Sequence, residues 1–298
     1  MFKVGLFADG PWSHLAFQRL LSRENLELSF VCGRFNTKDV TLKKMCLENQ
    51  IRFFTSKDIN NKEFIEKVEK FNCELFVSMS FDQIFKEDII SIPKFNIINC
   101  HAGKLPFYRG RNILNWVLIN DEKEFGITVH HVDKGVDTGD IILQKTFNIN
   151  DKDTYSALLQ VAYVECANIL DEAIEIFLQS SEIPRIKQKT IHPVGFTCSK
   201  RKIGDELIDW SLSSRQIFNL IRAISYPGPL ARTFMEGNEV QINKAQLIEN
   251  SPNYIGIPGA ILKNSSNSFD VKTGDSVIKI VEYNSKVNLK VGSRFVSK

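Results

Sequence analysis

An amide and an imidazole two residues apart, as in Asn99-Cys100-His101, can act on one oxygen if the backbone there is extended. Alternate residues of a strand share a face, and such a pair can polarise a carbonyl and move a proton. Cys100 then faces away, so thiol catalysis is not expected. The pair opens a dense stretch, Asn99-Cys100-His101-Ala102-Gly103-Lys104-Leu105-Pro106-Phe107-Tyr108-Arg109-Gly110-Arg111. A second cluster follows in His130-His131-Val132-Asp133-Lys134-Gly135-Val136-Asp137-Thr138-Gly139-Asp140. Its adjacent histidines point to opposite faces of a strand, and its acids miss the order of a calcium loop. No metal is therefore expected there. A loop that sets one carboxylate beside His101 fits better, because a buried acid orients an imidazole and favours its protonated form. Spacing alone does not choose among Asp133, Asp137 and Asp140.

The surrounding pattern must place these residues at a sheet edge. Short β-rich runs (Lys3–Ala8, Leu28–Cys32, Ile51–Thr55, Glu74–Ser78, Asn96–Cys100) alternate with helical stretches at His14–Arg23, Lys38–Gln50, Lys62–Phe71 and Asp82–Ile90. That alternation predicts right-handed βαβ units and an α/β, Rossmann-like, mostly parallel sheet covered on both faces. Asn99 and His101 lie where its fifth strand ends, and ligands of open α/β sheets bind at the carboxyl edge. Gly126–Val132 and Ile141–Ile149 read as further strands, and Asp151–Gln179 as a long helix. Ser180–Lys200 reads as a connection. After it come a helix at Ser214–Ile224, a turn at Tyr226-Pro-Gly-Pro, and short runs at Glu239–Ile242, Gly259–Leu262, Ser268–Val271 and Ser276–Tyr283. These predict a smaller, mainly β second domain, a partly open barrel. The expected division is 1–185, a linker at 186–204, and 205–298.

Composition narrows the partners. A net charge of +3 permits anionic substrates without demanding nucleic acid, which leaves a sharper basic stripe. The six cysteines contain no CxxC pair, so they are expected to be reduced and structural. No apolar run approaches the roughly 20 residues that span a bilayer. Met1–His14 reads as a first strand rather than a leader, so no membrane partner and a cytoplasmic location are expected. The Ala8–Ser13 turn lacks GxGxxG, which sets aside a nicotinamide site.

The order Asn-x-His, Leu105-Pro-Phe-Tyr-Arg-Gly, Phe125-Gly-Ile-Thr-Val-His and Gly135-Val-Asp-Thr-Gly-Asp resembles the N10-formyltetrahydrofolate-dependent formyltransferases. That family includes glycinamide ribonucleotide transformylase, methionyl-tRNA formyltransferase and the nucleotide-sugar N-formyltransferases. The resemblance implies a catalytic trio of Asn99, His101 and Asp137, with N10-formyltetrahydrofolate as co-substrate. It implies a folate pocket from the loop after the fourth strand and the turn before the acid: Met79, Ser80, Phe81, Ile84, Lys134 and Val136. Lys202–Asp209, Trp210-Ser-Leu-Ser, Ile221-Arg-Ala and Pro227-Gly-Pro resemble the family's C-terminal domain, which implies an OB-like barrel.

Two features bear on the acceptor. The stretch Cys32–Asp39 is shorter than the basic loop of the tRNA enzymes and carries only two basic residues before Leu42. A large phosphate-rich partner normally needs several such contacts. Tyr108-Arg-Gly-Arg-Asn-Ile-Leu-Asn-Trp resembles the sugar enzymes, although Ile113 stands where the family usually has proline. The implied partner is a nucleotide-linked 4-amino (or 3-amino) dideoxy sugar, with UDP or dTDP, as used in O-antigen biosynthesis; nucleic acid is not expected. Asp9, Gly10, Trp12, Lys104, Tyr108, Arg109 and Arg111 are the candidate acceptor contacts, and a homodimer is compatible with the family. Methionyl-tRNA and a non-catalytic binding role are the alternatives.

Overall fold

The computed structural model describes residues 1–180 and 182–296; Ser181, Ser297 and Lys298, inside the expected domain ranges, lie outside the described residues. Strands and helices alternate through β1 (Phe2–Ala8), α1 (Pro11–Leu21), β2 (Leu26–Gly33), α2 (Val40–Glu48), β3 (Arg52–Thr55), α3 (Lys62–Glu69), β4 (Leu75–Met79), α4 (Glu87–Ile90) and β5 (Ile97–His101). The chain continues with β6 (Arg109–Gly110), α5 (Ile113–Ile119), β7 (Glu124–His131), β8 (Ile141–Asn148), α6 (Tyr155–Gln179), α7 (Gln188–Ile191) and β9 (Thr197–Cys198). It closes with α8 (Ser214–Ile224), β10 (Ala231–Met235), β11 (Asn238–Leu247), β12 (Ile261–Ser265), β13 (Ser268–Lys272) and β14 (Val277–Ser285).

Two compact units result. One comprises Met1–Gly110, Phe125–Phe147 and Gln160–Cys198; the other comprises Arg111–Glu124, Asn148–Leu159 and the chain from Ser199. Among the described residues no helix is long and apolar enough to cross a membrane.

The first unit is built on a seven-stranded sheet in the order β3-β2-β1-β4-β5-β7-β8. Pairing is parallel from β3 to β5, as expected, and β7 then runs antiparallel to β5. The inner strands are apolar on both faces because helices cover both. In α1, Ser13, Ala16, Phe17 and Leu20 fall on one stripe and are buried. Asp39 caps α2 by accepting from the Thr41 and Leu42 amides, and Asn61 caps α3 through Phe64 N–H. The core centres on Phe7, whose ring meets those of Phe30, Phe64, Phe76, Phe81 and Phe85 at 5.1–6.3 Å, all edge-on. Such pairs contribute about 0.5–1.5 kcal/mol each beyond burial.

The second unit holds a five-stranded antiparallel sheet in the order β10-β11-β14-β13-β12. Isolated bridges Phe234↔Val296 and Ala260↔Arg294 attach the following segment near both ends of that order, so the sheet is partly closed. Trp210 is fully buried, stacks on Phe295 and donates its indole N–H to Thr233 Oγ1 at 2.9 Å. Helix α8 begins with a reciprocal Ser213–Gln216 capping box. Arg215 on it donates to Asp121 at 2.9 Å and to Asp151 at 2.7 Å. Burial would push the Asp121 carboxyl up, but Arg215 outweighs it and holds the group at about 2. These contacts, with the Asn115 amide on the Ala223 carbonyl, tie the two short excursions 111–124 and 148–159 to α8.

Candidate active site

Strand register assembles the polar centre. In the antiparallel β5–β7 pair, Asn99 stands opposite His130, and His101 opposite Thr128. Cross-strand partners share a face, so these four residues form one patch. The intervening residues face the other way: the Cys100 thiol lies 3.5 Å from the Cys166 carbonyl of α6, and the His131 ring lies 6.5 Å from Phe177 of α6. Cys100 therefore points away from the Asn99–His101 face, as alternation requires.

Asp137 is the acid that reaches this patch. Its Oδ2 accepts the Gly110 amide at 2.8 Å and lies 3.6 Å from His101 Nδ1. Its Oδ1 lies 3.5 Å from both His130 Nε2 and Asn99 Nδ2. The other two acids do different work. Asp133 Oδ1 accepts from Gly135 N–H at 3.0 Å and Thr138 Oγ1–H at 2.5 Å, which folds the turn. Asp140 takes the His131 amide on its carbonyl at 2.9 Å. That close return needs Gly139, where a Cβ would fall 1.8 Å from the His131 carbonyl oxygen. Burial opposes a charge on Asp137, but His101, then His130 and the Gly110 N–H, outweigh it and hold its carboxyl well below the usual range.

The histidines are oriented mainly by backbone. His101 Nε2 donates to the Tyr108 carbonyl at 2.7 Å, and His130 Nδ1 donates to the His131 carbonyl at 2.8 Å. Asn99 Nδ2 lies 3.2 Å from His130 Nε2, the ring atom that also faces Asp137 Oδ1 at 3.5 Å. The Nδ1 of His101 faces a carboxylate at a distance too long for a hydrogen bond but suited to charge attraction. Thr128 braces the loop after β5 by donating to the Gly103 carbonyl at 2.6 Å, and Gln144 donates to Thr128 Oγ1 at 2.8 Å and the Leu105 carbonyl at 2.9 Å.

The expected folate residues split into two groups. Met79 is buried at the end of β4, and Phe81 packs on Phe7 and Phe85. Ser80, in a left-handed conformation at φ 53°, offers its carbonyl and hydroxyl to Arg34 at 2.9 and 3.1 Å. Ile84 and Val136 are exposed apolar side chains. Lys134 lies 3.4 Å from Glu87, which brings the loop after β4 beside the turn that carries Asp137. Both partners are exposed, so the contact marks proximity more than stability.

The expected acceptor residues are scattered more widely. Asp9 accepts from the Thr37 hydroxyl, Gly10 N–H donates to Asp39 at 3.0 Å, and Trp12 meets Tyr163 edge-on at 4.9 Å. Lys104 is half-buried, and the buried Tyr108 ring packs on Phe196 at 4.8 Å while its carbonyl reaches His101. Arg109 donates to Gln188; Arg111 is exposed and begins the other compact unit. Sequence reasoning missed His130, Thr128, Gln144 and Gln188 as contributors. Only His130 carried a signal, since it is the member of the histidine pair with the parity of Asn99. Among the described residues no group of three or more His, Cys, Asp or Glu could hold a metal ion.

A family model described as formyl transferase matches residues 30–174, and one described as the formyl transferase C-terminal domain matches residues 201–292. Methionyl-tRNA formyltransferase of Caldanaerobacter subterraneus is 33% identical over 254 residues, covering 85% of this chain and 80% of that protein. A crystal structure of WlaRD, a sugar 3N-formyl transferase in the presence of dTDP and 5-N-formyl-THF, superposes with a TM-score of 0.72 at 24% identity, over 96% of this chain and 99% of that one. The N-formyltransferase from Helicobacter canadensis, in complex with folinic acid and dTDP-3-aminofucose, gives 0.70 at 22% identity, over 95% and 100%. At these identities the structural likeness establishes the fold.

Proposed function

The chain belongs to the formyl transferase family, and we propose that it moves the formyl group of N10-formyltetrahydrofolate to the amine of a nucleotide-linked 4-amino (or 3-amino) dideoxy sugar. Formyl transfer follows from the family; the donor and acceptor are the reading proposed. The observation that carries the sugar acceptor is the short turn between β2 and α2. Of its two basic residues, Arg34 gives its guanidinium to Ser80, and only Lys38 stands exposed. One exposed cation is poorly matched to an RNA, whose binding rests on several phosphate contacts. Fold relatives named for sugar acceptors support the same reading. Transfer to methionyl-tRNA is the second reading, favoured by the 33% identity to an enzyme of that name.

The formyl folate supplies an activated one-carbon acyl group. Exposed Ile84 and Val136, with Phe81 and the polar main chain at Ser80, suit a flat ring with hydrogen-bonding edges. Lys134 adds a cation on the same side, and Met79 backs the loop from the core.

Attack of an amine on the formyl carbon puts negative charge on oxygen. In this reading Asn99 and a protonated His101 stabilise that charge. No side-chain nucleophile is needed: collapse of the tetrahedral intermediate breaks the formyl C–N10 bond, and tetrahydrofolate leaves with N10 gaining the proton that the amine gives up. Asp137 keeps a counter-charge beside His101 and can take the amine proton, directly or through water. A carboxylate held this low is a weak base, so its stronger contribution is to fix the imidazolium. Two water-soluble substrates suit an enzyme of the cytoplasm.

The test is formyl transfer from N10-formyltetrahydrofolate to a panel of UDP- and dTDP-linked amino sugars and to initiator methionyl-tRNA. Turnover is expected on a nucleotide sugar. Efficient formylation of the tRNA, with strongly salt-sensitive binding, would overturn the sugar acceptor.

A further inference from the structure

Between α6 and Ser199 the chain reads as a polar connection, yet it contains a buried amide. Gln188 is 4% exposed, and all four hydrogen-bonding positions of its side chain are used. Its Nε2 donates to the carbonyls of Asp137 and Gly139, each at 2.8 Å. Its Oε1 accepts from Arg109 Nε at 3.0 Å and Nη2 at 2.6 Å. The amide cannot be reversed: that would set N–H groups against a guanidinium and an oxygen against two carbonyls.

The residues it joins matter for the site. Asp137 has φ 55°, a left-handed conformation that a residue with a side chain holds only when its surroundings enforce it. The two N–H bonds from Gln188 pin that turn on its carbonyl side, while Gly110 N–H fixes the carboxylate. The Arg109 guanidinium is oriented by a neutral acceptor, so its positive charge is left for an anion. Downstream, β9 pairs with β6, and Arg109 N–H donates to the Phe196 carbonyl at 3.2 Å. The segment from Gln188 to Cys198 thus braces the turn that supplies both the Tyr108 carbonyl and the Gly110 amide.

We propose that Gln188 is a positioning residue of the formyl-transfer site: it fixes the Asp137 turn and presents Arg109, with its charge intact, to an anionic acceptor. This rests on the readings above that Asp137 acts with His101 and that Arg109 is a contact of the acceptor. Two variants separate the functions. Gln188→Glu keeps an acceptor for Arg109 but loses both donors and neutralises the guanidinium. Gln188→Met keeps the volume and loses every hydrogen bond.

Both variants should lower kcat at saturating substrates by about tenfold or more, because the Asp137 turn is no longer held. Binding of dTDP, followed by calorimetry without turnover, should weaken about tenfold in Gln188→Glu and less than about threefold in Gln188→Met. Thermal unfolding of each variant separates this split from a loss of fold, which would not distinguish the two in dTDP affinity. A kcat within about twofold of the parent in both folded variants overturns the positioning role. Equal loss of dTDP affinity in both overturns the role in preserving the Arg109 charge. A parent protein that fails to bind dTDP and formylates only tRNA overturns the sugar acceptor instead; the kcat comparison is then made on tRNA and still decides the role of Gln188 at Asp137.

Discussion

His101 donates its Nε2–H to the Tyr108 carbonyl at 2.7 Å, so the loop that carries Arg109 also aims the imidazole. With Nδ1 turned to Asp137 at 3.6 Å, both ring nitrogens face oxygen acceptors. In the proposed mechanism the ring carries a proton on both nitrogens, its charge facing Asp137 at a distance suited to attraction rather than to a hydrogen bond.

Gly103 is what lets that loop close. A Cβ at this position would lie 2.4 Å from both His101 Nε2 and the Tyr108 carbonyl oxygen, neither of which is a flexible tip. Gly103→Ala should cost about 1–3 kcal/mol in urea unfolding through overpacking. It should also lower kcat by about 100-fold, because the ring is displaced from its acceptor. A variant with normal kcat would show that the Tyr108 contact is dispensable.

Asp137→Asn preserves shape and keeps an oxygen for the Gly110 amide while removing the charge opposite His101. The expected loss is about 100-fold or more in kcat with folate affinity little changed. Weakened folate binding at unchanged kcat would assign Asp137 to the pocket rather than to the chemistry.

Stability should fall on acidification through His131, on the face of β7 turned away from the site. Burial first, and Arg185 second, lower its imidazole to about 4, against an ordinary 6.5; its Nδ1 has no partner among the described atoms. The native state then binds fewer protons than the unfolded chain between those values, so stability is full above pH 6.5 and declines as pH falls towards 4. Between pH 7 and 4.5 the contribution is about 2 kcal/mol. Asp137, held low, adds a separate loss only below the ordinary carboxyl range. Urea unfolding of His131→Phe at the two pH values should lose that much less than the parent; equal losses would refute the assignment.

The first five strands were legible because each is a short apolar run bounded by polar residues, and their ends agree to within about two residues with those read from pattern. Other elements were not. A helix expected over Asp82–Ile90 is reduced to α4, since Gln83 and Ile84 hydrogen-bond to residues 56–60 instead. Helix α5 went unread because its seven residues, nearly all apolar, show no polar face. Gly126–Val132, read simply as a strand, is buried on both sides as far as His131. Pattern also carries no information on direction, so the antiparallel step from β5 to β7 was invisible. That step decides the site: it puts His130 against Asn99 and Thr128 against His101. Gln188 was hidden for a different reason, since its partners are main-chain carbonyls that exist as a pair only after the Asp137 turn has folded.

The most direct test of the trio is the single-turnover rate of formyl transfer from N10-formyltetrahydrofolate in the parent, His101→Ala and Asn99→Ala proteins, each shown folded by circular dichroism. Loss of the imidazolium or the amide is expected to slow transfer by about 100-fold or more, with donor binding retained. Transfer within about threefold of the parent in either folded variant would contradict the assignment of the reaction to Asn99, His101 and Asp137.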